Sequence, residues 1–325
     1  MKDKVDFSSC FAQSLQNFVK VKQDLGYKYE TECRILRHFD RYCMLYCSTP
    51  VLCQELVQGY ISMDENRTAH TKRNIICLMR QFAFYLIRSG HHAWVFPEEL
   101  FPNKDQLYKP YIFTREEIFL FLVKVEKLHP NPQFPTRHMT LPLLYRTLYC
   151  CGLRVSEATG LTLETVDLKN GILFIKKAKD YRDRIIPLSE SLTDRYREYY
   201  DLTHKSSTQD DFFVRSDYGK RYSTAALGKN FREILWECGI SYGGRRKGPH
   251  LHDIRHTFSV HCLQNAMGNG CDIQEFLPVL SSYLGHKTLN GTQRYLHLTA
   301  ELYPDIREKL EEYSREIIPG GVSNE

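Results

Sequence analysis

The sequence predicts a mainly α-helical protein with one small antiparallel β-sheet, arranged as an all-α N-terminal unit followed by an α+β unit. Three observations predict this. Apolar residues recur at spacings of three and four over most of the 325 residues, the period of a helix that buries one stripe. Between Glu164 and Leu188 the pattern changes to that of strands around Asn170-Gly171, a hairpin turn signal. From Phe96 to Pro110, prolines at 97, 102 and 110 leave no periodicity, which marks a linker. The boundary is placed near residue 108, giving units 1–108 and 109–325.

In the first unit, Phe11, Leu15, Phe18 and Val19 share a helical face and Gly26 supplies the stop. A second helix is expected from about Thr31 to Cys47, with Cys33, Leu36, Cys43 and Cys47 on one stripe as small core residues. A third covers Val51–Ile61. The fourth runs from about Thr71 to Arg88, where Ile75, Leu78, Met79, Phe82 and Leu86 form the stripe and Gly90 ends it. Arg73 and Arg80 are seven apart on this helix and project together. They read either as a solvated face or as cations offered to a DNA backbone.

The second unit opens on Thr114-Arg-Glu-Glu117, a capping box, leading to a helix that carries Ile118, Phe121, Leu122 and Val125. The helix at about Thr140–Cys151 is nearly all apolar and therefore central. It stops at Gly152, and Leu153-Arg-Val-Ser-Glu157 follows. An arginine just beyond a buried helix needs an anion nearby, and Glu157 is available. Ile172–Ile175 and Arg184–Leu188 are the hairpin strands, with Lys176, Lys177 and Lys179 at the turn between them. Helices resume at about Leu192–Tyr200 and Ser223–Cys238. Gly243-Gly-Arg245-Arg246-Lys247-Gly248 is a flexible basic loop suited either to phosphate or to plain solvation. Next comes Pro249-His-Leu-His252-Asp-Ile-Arg255-His-Thr-Phe258, in which His252 and Arg255 are three apart. On a helix they share a face, one able to exchange protons and the other to grip two oxygens with a planar fork. Ile273–Leu284 is a further helix ending in Gly285-His286, and Thr292-Gln-Arg-Tyr295-Leu-His297 follows. Ile306, Leu310, Tyr313 and Ile317 mark an amphipathic tail helix.

Composition narrows the function. With 42% hydrophobic and 26% charged residues the chain can bury ordinary cores. No apolar run approaches the roughly 18 residues that span a bilayer, and the N-terminal residues lack the apolar core of a signal peptide. A cytoplasmic protein without membrane contact is expected. Eleven cysteines, an odd number with no Cys-x-x-Cys pair, point to reduced thiols and to no zinc site. The net charge of +5 decides nothing alone. Residues 111–300, however, hold 26 Lys+Arg against 20 Asp+Glu, and 301–325 hold 3 against 7: a basic body with an acidic end, compatible with a polyanionic partner.

The ordered set Gly-Leu-Arg154-Val-Ser-Glu, a hairpin lysine, His252-Asp-Ile-Arg255-His, Leu-Gly-His286 and Tyr295 resembles the tyrosine recombinase (phage integrase) family, in its minimal two-domain form. The resemblance covers both units, as a helical core-binding domain and a catalytic domain. It implies that Arg154 and Arg255 clamp the non-bridging oxygens of a phosphodiester, with His286 as a further donor. Each such donor is commonly worth roughly 2.7–4 kcal/mol of barrier. Tyr295 would attack, leaving a 3′-phosphotyrosine and a free 5′-hydroxyl. His252 is the implied base and Lys179 the acid that protonates the leaving oxygen. The family's Gly-Lys-Gly turn reads Ala178-Lys179-Asp180 here, and Lys177 lies two residues away as the alternative. One phosphoester replaces another, so neither ATP nor a metal ion is needed; no cofactor is expected.

The implied partners are double-stranded DNA with inverted-repeat core sites and further copies of the chain, as a tetramer in the synaptic complex. The C-terminal helix would dock on a neighbouring protomer. Arg73, Arg80, Arg245, Arg246 and Lys247 are the expected DNA contacts. The reading is a site-specific recombinase or integrase of a mobile element. Its alternatives are a Xer-type chromosome or plasmid resolvase, a type IB topoisomerase-like nicking-closing enzyme, and a catalytically silent DNA-binding regulator.

Overall fold

The computed structural model describes residues 6–101, 109–176, 183–204, 208–244, 248–286, 288, 291–293, 295, 296 and 298. The chain splits into two compact units, Met1–Leu107 and Tyr108–Glu325. As the periodicity predicts, the described residues are mostly helical with one three-stranded antiparallel sheet.

The first unit is built from α1 (Ala12–Asp24), α2 (Glu30–Tyr46), α3 (Gln54–Ser62) and α4 (Ala69–Arg88). Its apolar stripes meet in an aromatic core in which the ring of Phe82 lies 6.0 Å from Phe11, 5.4 Å from Phe18 and 6.4 Å from Phe39. Burying each such ring contributes roughly 1.5–3 kcal/mol. Of the cysteine stripe, Cys33 and Cys43 are buried, and Cys47 is half-buried. Helix α3 begins three residues later than its apolar pattern predicts. Leu52 is taken up instead in a parallel bridge to Ala93, its carbonyl accepting from Trp94 at 2.7 Å.

In the second unit the capping box is realised at α5 (Arg115–Glu126): Thr114 Oγ1 accepts from Glu117 N at 3.1 Å, and the Glu117 carboxylate accepts from Thr114 N at 2.9 Å. Helix α6 (Arg137–Cys150) is central, packed against α5 and against α8 (Glu190–Thr203). Arg154 opens α7 (Val155–Ala158), a single turn. The sheet has the order β1 (Val166–Asp167), β2 (Ile172–Ile175), β3 (Arg184–Pro187), with Ile172 opposite Pro187 and Ile175 opposite Arg184. Alternation sends Leu173, Ile175 and Ile186 into the core. Helix α9 (Thr224–Glu237) supplies Phe231, whose ring lies 5.4 Å from Phe121. Helix α10 (Asp253–Gly268) packs on α6 and on α11 (Ile273–Leu284). The tail helix expected around 306–317 lies outside the described residues.

Candidate active site

The site forms where two helices end on left-handed glycines. Helix α6 runs out at Gly152 (φ 56°) and α11 at Gly285 (φ 67°), a conformation that favours glycine. A Cβ on Gly152 would also enter the ring of Phe258, and one on Gly285 would press at 3.0 Å on Arg184 Nη1. The carbonyls at such helix ends are partly unsatisfied and carry the negative pole of the dipole. Two arginines come to them. Arg255 Nη1 donates to Gly152 O at 2.7 Å and its Nη2 to Leu284 O at 2.6 Å, while Arg154 Nη2 donates to Gly285 O at 3.0 Å.

Glu157 is the carboxylate between the cations, its side chain 7% exposed. It accepts from Arg154 Nη1 at 2.8 Å and from both terminal nitrogens of Arg184 at 3.0 and 2.6 Å, and lies 4.0 Å from Arg255 Nη1. Burial opposes its ionisation. The hydrogen bonds and charge of Arg184, with those of Arg154, outweigh that and hold its pKa at about 2. The anion inferred for Arg154 is therefore Glu157, and it serves three guanidiniums. Their charges outnumber it, which leaves the site strongly attractive to a further anion. The same crowding shows on Arg255, 2% exposed: burial first and the Arg154 charge second lower its pKa to about 10.

His286 follows Gly285 directly. Its Nε2 lies 3.2 Å from Arg255 Nη2 and its Nδ1 2.8 Å from Thr292 Oγ1. A guanidinium only donates, so Nε2 accepts and Nδ1–H donates to the threonine. Burial, then Arg255, Arg154, Arg184 and His252, lower its pKa to about 4; at neutral pH it is an uncharged imidazole.

Tyr295 lies in a helical segment after His286, 2% exposed, its ring stacked 6.2 Å from that of His286. Thr292 stands three residues before it, so one helical face carries both the partner of His286 and the phenol. The Tyr295 hydroxyl shares a 3.0 Å hydrogen bond with Nδ1 of His256. His252, at the cap position of α10, is exposed, and its ring meets that of His256 edge-on at 4.8 Å. The two members of the His-x-x-Arg pair thus divide: His252 precedes the helix and faces solvent, while Arg255 is buried in its first turn. Tyr283 has a different role, stacked 5.8 Å from Phe258.

Arg154, His252, Arg255, His286 and Tyr295 are all brought to this region. Lys179 and its alternative Lys177 lie outside the described residues. Lys176 is ion-paired with Glu164 at 2.6 Å. Arg245, Arg246 and Lys247 also lie outside them. In the first unit Arg80 donates to Phe96 O and to Glu98 Oε1, the latter at 2.7 Å, and Arg73 sits over the ring of Phe101 at 4.7 Å. Both arginines therefore fasten the segment after α4 to that helix.

Three contributors carry little sign of their role in the sequence. Arg184 reads there only as a strand marker; a cation opening an otherwise apolar strand is the available signal. Thr292 is legible as part of the Thr-x-x-Tyr context. His256 reads, with His250 and His261, as structural or as support behind the primary groups, with no primary role, although it lies one turn beyond His252.

The model of the phage integrase family matches residues 122–301. A protein of Sinorhizobium fredii named as an integrase/recombinase is 26% identical over 93% of this chain and 98% of its own length. The tyrosine recombinase XerC of Halalkalibacterium halodurans is 32% identical over 76% of this chain and 93% of its own. Among solved structures, a lambda integrase dimer bound to a core site aligns with a TM-score of 0.63 at 15% identity, over 87% of this chain and 94% of that one. A lambda integrase tetramer bound to a Holliday junction aligns at 0.62 and 14% identity, over 87% and 76%.

Proposed function

The chain belongs to the phage integrase family and is a tyrosine recombinase, an enzyme that transfers DNA strands in site-specific recombination; from that premise we propose how its own residues do so. The observation that carries the proposal is the meeting of Arg154, Arg255 and His286 at two helix ends with the Tyr295 ring stacked beside them. A phosphodiester bound there takes the guanidinium donors on its non-bridging oxygens, and His286 turns from accepting to donating as the phosphate adds negative charge. Such preorganised donors lower the barrier because their orientation is set before reaction. Tyr295 attacks phosphorus and is left as a 3′-phosphotyrosine. An imidazole at or just before the start of α10 takes the phenolic proton, the family pattern nominating His252. Lys179 protonates the departing 5′-oxygen.

The chain is proposed to act on double-stranded DNA with inverted-repeat core sites, for a mobile element, with four copies in the synaptic complex and no cofactor. The DNA-bound dimer and junction-bound tetramer of lambda integrase support the DNA partner and the four-copy assembly in that reading. Residues 1–108 are proposed as the core-binding domain and 109–325 as the catalytic one. DNA contacts are proposed for Arg245, Arg246 and Lys247, and for Arg73 and Arg80, of which Arg80 must first leave Glu98. With no membrane-length apolar helix among the described residues, a cytoplasmic, nucleoid-associated location is proposed.

The test is a covalent trap. Duplexes selected by the protein from a random pool are rebuilt as nicked suicide substrates. Wild-type protein should become attached to a 3′-phosphate and Tyr295→Phe should not; absence of any adduct, or an adduct with the variant, sinks the proposal. Mixing two site-bearing duplexes then separates recombinant joints from simple relaxation.

A further inference from the structure

We propose that His256 is the group that accepts the phenolic proton of Tyr295 during attack, with His252 standing beyond it at the solvent edge. The inference rests on the strand-transfer reading above and deepens it. Geometry assigns the role: Nδ1 of His256 is 3.0 Å from the Tyr295 hydroxyl, and the two rings lie 5.5 Å apart. Both side chains are nearly closed to water, at 9% and 2% exposure. His252 reaches the pair through its edge-on contact with the His256 ring.

A phenol with a pKa of about 10 is ionised in only about one molecule in a thousand at neutral pH, so attack needs a base within hydrogen-bond reach. His256 already stands at that distance. As the Oη–P bond forms and the P–O5′ bond breaks, the proton passes from Oη to Nδ1, and O5′ takes a proton from the acid of the site. On religation the 5′-hydroxyl attacks phosphorus, the Oη–P bond breaks and His256 returns the proton to the phenol. Among the described residues, the titratable and charged groups that meet this pair are His252 and Arg255 from α10 and His286 from the end of α11. Of the histidines, His286 ionises near 4 in the free protein; where bound phosphate makes it a protonated donor, its titration shapes the high-pH limb of the profile and not the low-pH one.

The test uses single-turnover adduct formation on the nicked duplex selected by the wild-type protein. His256→Asn keeps an acceptor oxygen where Nδ1 stands but takes no proton near neutral pH. It should bind the duplex yet form adduct about 100-fold more slowly or worse. Installing 3,5-difluorotyrosine at position 295, a more acidic phenol, should shrink that gap to under about tenfold. Rates within about threefold of wild type, or a gap indifferent to the fluorinated phenol, overturn the proposal and leave His256 a mere holder of the ring. Should His256→Asn lose the duplex, the wild-type pH profile decides. Its rate must fall about tenfold per pH unit below one histidine ionisation that persists in His252→Gln, and a flat profile down to about pH 5 overturns the assignment. Absence of adduct from the wild-type protein would instead strike down the strand-transfer reading itself.

Discussion

Glu157 is the residue on which the charge balance of the site depends. Replacing it by glutamine leaves Arg154, Arg184 and Arg255 crowded together without their shared anion. Removing one partner of a buried ion pair commonly costs about 3–5 kcal/mol, so Glu157→Gln should lose stability on that scale in urea unfolding, along with adduct formation. The histidines give a second outcome. His286 and His261 are held neutral, each with a pKa near 4, His261 chiefly by burial and then by the Arg115 charge. An unfolded histidine titrates near 6.5, so between about 6.5 and 4 the unfolded chain binds more protons than the folded one. Stability is therefore complete above about 6.5 and falls as pH drops towards 4. Urea midpoints of the catalytic unit should decline over that window, and the decline should be shallower in His261→Gln. Bound phosphate reverses the situation at His286: its charge should raise that pKa, so calorimetry of DNA binding in buffers of different ionisation enthalpy should show proton uptake.

At the level of elements, the site depends on where helices stop. Gly152 and Gly285 end α6 and α11 in a left-handed conformation and leave the carbonyls that hold Arg255 and Arg154. Gly285→Ala should cost roughly 1–3 kcal/mol from backbone strain and displace the Arg184 head. Gly152→Ala, which drives a methyl into the Phe258 ring, should cost at least that, and both should slow adduct formation. Thr114→Ala removes half of a capping box whose hydrogen bonds run only between Thr114 and Glu117 and should cost about 1 kcal/mol of stability, with DNA cleavage unchanged. Elements with strong local signals follow the sequence closely: the capping box, the Asn170-Gly171 turn, and α11, whose bounds match the expected Ile273–Leu284. The start of α3 departs from expectation because Leu52 gains a backbone partner, Ala93, some forty residues away, which no local pattern encodes.

For the whole molecule, affinity for DNA should be dominated by phosphate contacts and hence by salt. Substituting Arg245, Arg246 and Lys247 together by alanine should reduce the slope of log K against log salt by about 2–3, near 0.9 for each phosphate no longer neutralised. An unchanged slope in a binding titration would remove that loop from the interface. Truncation after residue 300 should abolish cooperative binding to paired sites while sparing binding to a single half-site, because the family resemblance implies that residues 301–325 dock on a neighbouring copy.

By itself the sequence determined the helical class, the hairpin, the linker and the ordered polar residues, because periodicity, turn chemistry and residue type are local properties. Tertiary structure decided which of these meet. Arg154 and Arg255 are 101 positions apart in the sequence, yet both reach carbonyls at the end of α11, and Arg184 arrives from a strand to share Glu157. The identity of the imidazole on the Tyr295 hydroxyl was decided there too. His252 and His256 are equivalent as letters, and only the packing of Tyr295 against α10 sets one ring nitrogen at bonding distance while leaving the other ring at the solvent edge.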